Sequence, residues 1–200
     1  MKPYVVLILA AGLSRRMGQF KPLLSIGGET ITDHLISTFL ACGVDVYVVV
    51  GYRAGELKAA IEHRGVTVIE NQDYVHGMFT SVQAGAHALA PGYRAFFVMP
   101  VDMPLVRPST ILRLLVASSE HPGNIIYPVY GGKRGHPPLI PVSLAPVITE
   151  WKLDGNLREV LNSYERLALQ VIVRDANIHV DIDTADDYRL LVKRFQRNKS

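Results

Sequence analysis

The chain has 200 residues, 48% of them hydrophobic and 20% charged, with 21 basic against 18 acidic side chains and a formal net charge of +3. This composition can bury a core and excludes a disordered or low-complexity chain, and 12 prolines and 16 glycines spread along it suit a fold with many connections. A single cysteine, Cys42, excludes an internal disulfide framework and a cysteine-rich zinc site, while the mild positive balance favours anionic small molecules over nucleic acid.

The longest strongly apolar stretch, YVVLILAA at 4–11, is far short of the roughly 20 residues that cross a bilayer, and only Lys2 precedes it as a signal-like cation. The expectation is a soluble cytoplasmic protein without membrane contact. Rich in β-branched residues and ended by Gly12, this run predicts a strand buried on both faces of a parallel sheet. Further strands are predicted at 45–50, 66–70 and 95–101. Between them fall helices at 32–41 with Gly43 beyond, 54–63 stopped by Gly65, 79–89, and 109–118 after Pro108. Such alternation is that of successive βαβ units, hence an α/β fold.

The second half is less regular. IIYPVY at 125–130 reads as a strand and GGKRGHPP at 131–138 as a basic glycine turn. Helices are predicted from Ser143 and over 156–164, and a strand over 168–173, giving a mixed sheet edge. In the closing DIDTADDYRLLVKRF, Thr184 can cap a helix whose first turn holds Asp186 and Asp187 beside the positive end of the helix dipole. With no repeat and no linker composition, residues 1–200 read as one domain.

The segment richest in chemistry is LAAGLSRRMGQFKPLL at 9–24, where a buried strand runs into a glycine loop holding Arg15, Arg16 and Lys21. Gly12 permits close backbone approach, successive amides can form an anion-binding concavity, and the cations suit a polyphosphate. There is no GxxxxGK[ST] and no GxGxxG after the first strand, which excludes a Walker-type phosphate loop and a dinucleotide fingerprint. Read from the residues, a solvated basic turn whose glycines serve only geometry is the competing account.

Leu9-Ala10-Ala11-Gly12, Ser14, Arg16-Met17-Gly18 and Lys21-Pro22-Leu23 resemble the L-A-A/G-G-x-S-x-R-M-G-x-x-K signature of the MobA/MocA-like nucleotidyltransferases, which are themselves similar to sugar-nucleotide pyrophosphorylases and cytidylyltransferases. Four more segments follow in the family's order: NQDYVHGMFTSVQAG at 71–85, VMPVDMPLV at 98–106, RGHPPLIP at 134–141, and DIDTADD at 181–187. WKLDGNLREVL resembles a further G-D-x-G-A-R stretch only at Asp154, Gly155 and Arg158, and Ala185 stands where the family often has proline. The resemblance implies a three-layer Rossmann-like nucleotidyltransferase fold with a mostly parallel central sheet.

Asp102 ends an apolar strand, so its carboxylate should emerge at the carboxyl edge of the sheet, where open α/β folds bind ligands; a strand-end turn that caps the backbone is the alternative. Magnesium favours few carboxylates, with waters and phosphate oxygens completing its shell. Asp102 and Asp183 are therefore the candidate metal ligands, with Asp181 in reserve, since Asp181-Ile182-Asp183 alternates as a strand would and puts both carboxylates on one face. His136 is either an ordinary turn histidine or, with Lys133 and Arg134, part of an acceptor-binding segment. Ser81 lies in a stretch of small residues that admits either a base or ribose contact or close packing. His34, His63 and His87 read as surface residues, and Phe96, Phe97, Met99 and Met103 as core.

Taken together, the resemblance implies an enzyme in which an acceptor phosphate attacks the α-phosphorus of a nucleoside triphosphate and pyrophosphate leaves. Lys21, Arg16 and Asp102 would be catalytic, and Leu9, Ala10, Ala11, Gly12, Ser14, Arg16, Lys21, Asn71 and Ser81 would bind the nucleotide. Mg2+ is the implied cofactor. Ala10-Ala11, where guanylyltransferases commonly have Ala-Gly, implies CTP. The implied acceptor is molybdopterin or its metal-loaded form, with a molybdoenzyme as target protein. Two other readings stand: transfer to another phosphorylated acceptor such as a sugar phosphate, and a non-catalytic protein that binds and delivers the molybdenum cofactor.

Overall fold

The computed structural model describes residues 2–14, 16–152 and 155–199, with side chains through residue 196. Arg15 and Asp154, both singled out from the sequence, lie outside the described residues. In chain order the elements are β1 (Tyr4–Leu9), β2 (Ser25–Ile26), β3 (Glu29–Thr30), α1 (Ile31–Ala41), β4 (Asp45–Val50), α2 (Ala54–Ile61), β5 (Thr67–Glu70), α3 (Met78–His87), β6 (Ala95–Pro100), α4 (Pro108–Glu120), β7 (Ile125–Tyr130), β8 (Lys133–Arg134), β9 (Leu139–Pro141), α5 (Ala145–Glu150), α6 (Leu157–Ser163), β10 (Ala168–Ile172) and α7 (Ala185–Lys199).

β1 is buried along its whole length because it sits between two parallel partners and under helices on both faces. Alternate side chains divide the core: Val6 and Ile8 join the cluster under α1, α2, α4 and α7, whereas Val5, Leu7 and Leu9 join the one under α3, α5 and α6. The result is an α/β fold of three layers. The eight-stranded sheet runs β10-β7-β9-β6-β1-β4-β5, with β8 paired to β7. β2 and β3 form a separate hairpin.

Leu9 is in register with Pro100 of β6 and with Val49 of β4. The carboxyl ends of these three strands therefore lie side by side, and the loops that follow them share one edge of the sheet. α3 packs very closely on that sheet, since a Cβ on Gly85 would come within 2.8 Å of the Leu7 side chain. Gly85 in α3 thus serves packing, one of the two readings available from the sequence for the small residues there.

The structure departs from expectation in three places. The helix predicted at 54–63 is α2 followed by a separate 3-10 turn, Glu62–Arg64, closed by Gly65 in the left-handed region. β9 runs antiparallel between β6 and β7, so the mixed pairing lies inside the sheet rather than at its edge. Three residues ending on Pro141 carry too little periodicity to read as a strand, and it is pairing on both sides that makes them one. Residues 181–183 form no strand either; they run extended beside the Asp102 turn, tied to it by the Ile182 amide, which donates to the Asp102 carbonyl at 2.9 Å. Ile182 is nonetheless buried and its two neighbours are not, so the alternation reflects anchoring on the core rather than sheet pairing. Among the described residues no helix is long and apolar enough to cross a membrane.

Asp175 binds the approach to this segment to the start of α4. It is 1% exposed, and its carboxylate accepts from the Arg107 amide at 2.9 Å, the Thr110 hydroxyl at 2.9 Å and the Asn177 amide at 3.1 Å. Removing one acceptor group strands three donors, two of them buried. Asp175→Ala should lower the unfolding free energy by ~3 kcal/mol in a urea titration, a large loss for one side chain.

Candidate active site

The loop after β1 is fastened to the neighbouring strand: the Ala10 amide donates to the Val49 carbonyl at 2.9 Å and the Tyr52 amide to the Ala11 carbonyl at 3.1 Å. Beyond Gly12 the chain reverses at Ser14, whose φ of 51° is a left-handed conformation that a residue with a Cβ adopts only under constraint. The constraint is visible. The Ser14 side-chain oxygen accepts from the Lys21 amide at 3.1 Å and its carbonyl accepts from the Met17 amide at 3.1 Å, while Met17 and Phe20 are buried in the core. Lys21 then opens a 3-10 turn and is only 9% exposed, so its ammonium is aimed inward.

Two carboxylates meet that ammonium. Lys21 Nζ lies 3.0 Å from Asp183 Oδ1 and 3.6 Å from Asp102 Oδ2, and Arg16 Nη2 lies 3.0 Å from the same Asp183 oxygen. Asp102 is placed by β6, with the Val101 amide donating to the Leu9 carbonyl at 3.2 Å. Asp183 is placed by the capping turn of α7, in which Asp187 accepts from the Asp183 amide, the Thr184 amide and the Thr184 hydroxyl. The Thr184 hydroxyl and amide hold the Asp187 carboxyl below its ordinary range. Burial pushes the Asp102 carboxyl up; Lys21 pulls against this, and Asp181 and Asp183 add to the upward push.

A cavity of about 360 Å³ opens beside this cluster. Leu9, Ala11, Gly12, Ser14, Arg16 and Lys21 line one wall, Ser81 lines another, and Asp102 and Asp183 close the charged end. Nothing lies within 4 Å of where a Cβ on Gly12 would stand, so the backbone there faces open space. Ala10 is fully buried beneath the loop and Asn71 does not reach the cavity. Asn71 supports it instead: its amide nitrogen donates to Ser81 Oγ at 3.0 Å and Thr80 Oγ1 at 2.9 Å. Tyr74, Val75, Gly77 and Met78 also line it. Tyr74 and Val75 were not identified from the sequence, because residues that read as ordinary apolar positions signal no chemistry until the fold sets them at a cavity mouth.

The three acceptor-segment residues do not line this cavity. Arg134 forks onto Glu165 with one contact of 2.9 Å and lies 4.4 Å over the Tyr127 ring, while Lys133 is exposed on the same hairpin. His136 Nδ1 is buried without a hydrogen-bond partner. Burial pushes this imidazole below its ordinary range, opposed by the Val98 carbonyl, with Arg158 lowering it and Asp181 raising it further. Asp181 thus acts on both His136 and Asp102. Of the histidines read as surface residues, His34 is only half-buried, bonded to Glu29 at 2.9 Å and edge-on to the Phe195 ring.

The donor set suits a divalent cation. Asp102 and Asp183 both present an oxygen to the point where Lys21 Nζ sits, and Asp102 is a carboxylate whose charge is only partly compensated. Among the described residues no group of three or more acidic, histidine or cysteine side chains forms a cage.

Residues 6–168 match the MobA-like NTP transferase domain. The chain belongs to the MobA-like NTP transferase family. This MobA-like chain is 31% identical over 190 residues to the molybdenum cofactor cytidylyltransferase of Escherichia coli (strain K12), covering 94% of this chain and 95% of that protein. It is also 31% identical over 195 residues to the nicotine blue oxidoreductase of Paenarthrobacter nicotinovorans, covering 92% and 94% respectively. In fold it is similar to a nucleotidyl transferase from Methanothermobacter thermautotroptrophicus, with a TM-score of 0.83 over 98% of each chain at 23% identity. The MobA-like chain is a nucleotidyltransferase with a mostly parallel central sheet.

Gly51 offers a test of the cavity wall. A Cβ there would stand 2.7 Å from the Tyr74 Cβ and 2.9 Å from the Ala11 Cβ, and both neighbours line the cavity. Gly51→Ala must push one of them into the ligand space, so calorimetric titration should show nucleoside triphosphate affinity weakened about tenfold.

Proposed function

We propose that the chain acts as a single cytoplasmic nucleotidyltransferase domain that transfers CMP from CTP to a molybdopterin-type acceptor and releases pyrophosphate, with Mg2+ as cofactor. The observation that carries this reading is the convergence of Lys21, Arg16, Asp102 and Asp183 at one end of the cavity under the glycine loop. The cytidylyltransferase named among the relatives and the Ala10-Ala11 pair support CTP, the proposed reason being that the methyl of Ala11, a lining residue, would narrow the base pocket against a purine. A molybdoenzyme that receives the product is the partner that follows.

In the proposed reaction an oxygen of the acceptor phosphate attacks the α-phosphorus, a new phosphorus–oxygen bond forms, the bond between the α-phosphorus and the bridging oxygen breaks, and that oxygen leaves with pyrophosphate. The acceptor phosphate is ionised near neutral pH, so no protein base or nucleophile is required. Lys21 and Arg16 exchange Asp183 for phosphate oxygens and neutralise charge on the α-phosphate and the leaving group. Backbone amides from Ala11 to Ser14 hold the triphosphate, and Ser81, fixed by Asn71, sets the position of base or ribose. Asp102 and Asp183 are the residues that would hold Mg2+, which would supply positive charge against the phosphates. Lys133, Arg134 and His136 lie outside the nucleotide cavity; their proposed place is at the acceptor's far end, reached once Arg134 releases Glu165.

Pyrophosphate release measured with CTP, GTP, UTP and ATP, each with magnesium and molybdopterin, should show turnover with CTP only. Asp102→Ala should abolish it, and Lys21→Ala should lower kcat by roughly a hundredfold with an unchanged circular dichroism spectrum. Turnover that favours GTP would reject the base assignment. Absence of turnover with every pairing, alongside stoichiometric cofactor binding, would reject catalysis in favour of delivery.

A further inference from the structure

β10 is an end strand of the sheet and pairs only with β7. The Val173 amide donates to the Val129 carbonyl and the Leu167 carbonyl accepts from the Asn124 side chain, each at 2.9 Å, so the odd-numbered residues here turn their peptide groups inward. Ala168, Gln170 and Ile172 between them turn theirs outward. Such a row of free donors and acceptors is a template for another strand unless something covers it.

An apolar surface adjoins this edge. Leu112 and Val116 on α4 are 48% and 56% exposed beside an open groove of about 630 Å³ between α4 and β10, and Ile172, which by strand alternation projects on the other face of the sheet, is 75% exposed at the same edge. Arg113 and Glu120 flank it and have no ion-pair partner among the described residues.

The surface is complementary to itself. On α4 the midpoint between Arg113 and Glu120 falls between Val116 and Ala117. Leu169, Gln170, Val171 and Ile172 line the groove from the strand side, and the outward-facing peptide groups of Ala168, Gln170 and Ile172 are centred on Gln170. A two-fold axis perpendicular to the sheet and passing through both centres would lay β10 antiparallel to β10 of a second copy, with Gln170 paired to its own image and Ala168 to Ile172. The same rotation packs α4 antiparallel to α4, with Val116 and Ala117 at the centre and Arg113 opposite Glu120 on both sides. Opposite charges seven residues apart on one exposed helix face complement a second copy of the same helix run antiparallel.

We propose that the chain forms a symmetric homodimer through the β10 edge and α4, in which the two sheets join into one. Neither element lines the nucleotide cavity, so this inference stands apart from the proposed reaction. Sedimentation velocity on the full chain at micromolar concentration should show a dimer. Arg113→Glu and Glu120→Arg, each by itself, place like charges together at both ends of the contact and should raise the dissociation constant roughly a hundredfold. The two substitutions combined should restore the dimer. Circular dichroism and nucleotide affinity, unchanged throughout, would show that the variants fold. A monomeric wild-type chain, a dimer indifferent to either charge reversal, or a double variant that stays monomeric overturns the proposal.

Discussion

Asp102 and Asp183 come from distant parts of the chain, and bringing their carboxylates together in a half-buried position is unfavourable unless a cation lies between them. Lys21 is that cation, at 3.0 Å and 3.6 Å. Most of the surrounding architecture sets these three groups in place. Ser14 accepts a strained backbone and, by accepting from the Lys21 amide, turns the loop inward. The parallel pairing of β1 with β6 brings the Asp102 turn beside the loop, and the Ile182 amide ties the last segment to the Asp102 carbonyl.

The same cluster explains why a phosphate-rich ligand suits this edge of the sheet. With Asp102 pushed up by burial and by its acidic neighbours, the site favours arrival of further positive charge, while Lys21 and Arg16 both lean on a single Asp183 oxygen. A triphosphate accompanied by a divalent cation would satisfy both needs at once: anionic oxygens for Lys21 and Arg16, and a cation for the two carboxylates. Family membership and this charge arrangement are independent observations that point to one class of chemistry.

Much of the fold was legible because strands buried on both faces write themselves as continuous β-branched runs, and helix ends carry capping residues. β4, β6 and β7 lie within a residue of where their apolar runs predict them, β1 ends two residues earlier than its run, and Thr184 caps its helix as its side chain allows. Elements made by pairing rather than by composition were not legible. β9 exists because β6 and β7 lie on either side of it, and residues 181–183 are extended because Ile182 is anchored in the core. Side chains engaged elsewhere were equally hidden. Arg134 looks free in a basic turn, yet Glu165 and the Tyr127 ring hold it, and Asn71 supports Ser81 from below rather than facing the cavity.

By itself, the sequence determined the α/β alternation, the cationic glycine loop after the first strand and the acidic ends of two later segments, because each is a local property of residue type and spacing. Only the tertiary structure decided that these three segments share one edge, that Lys21 stands between the two carboxylates, and that Tyr74 and Val75 line the cavity. Register between strands and burial against the core involve residues remote in the chain, and no local pattern specifies where such residues meet.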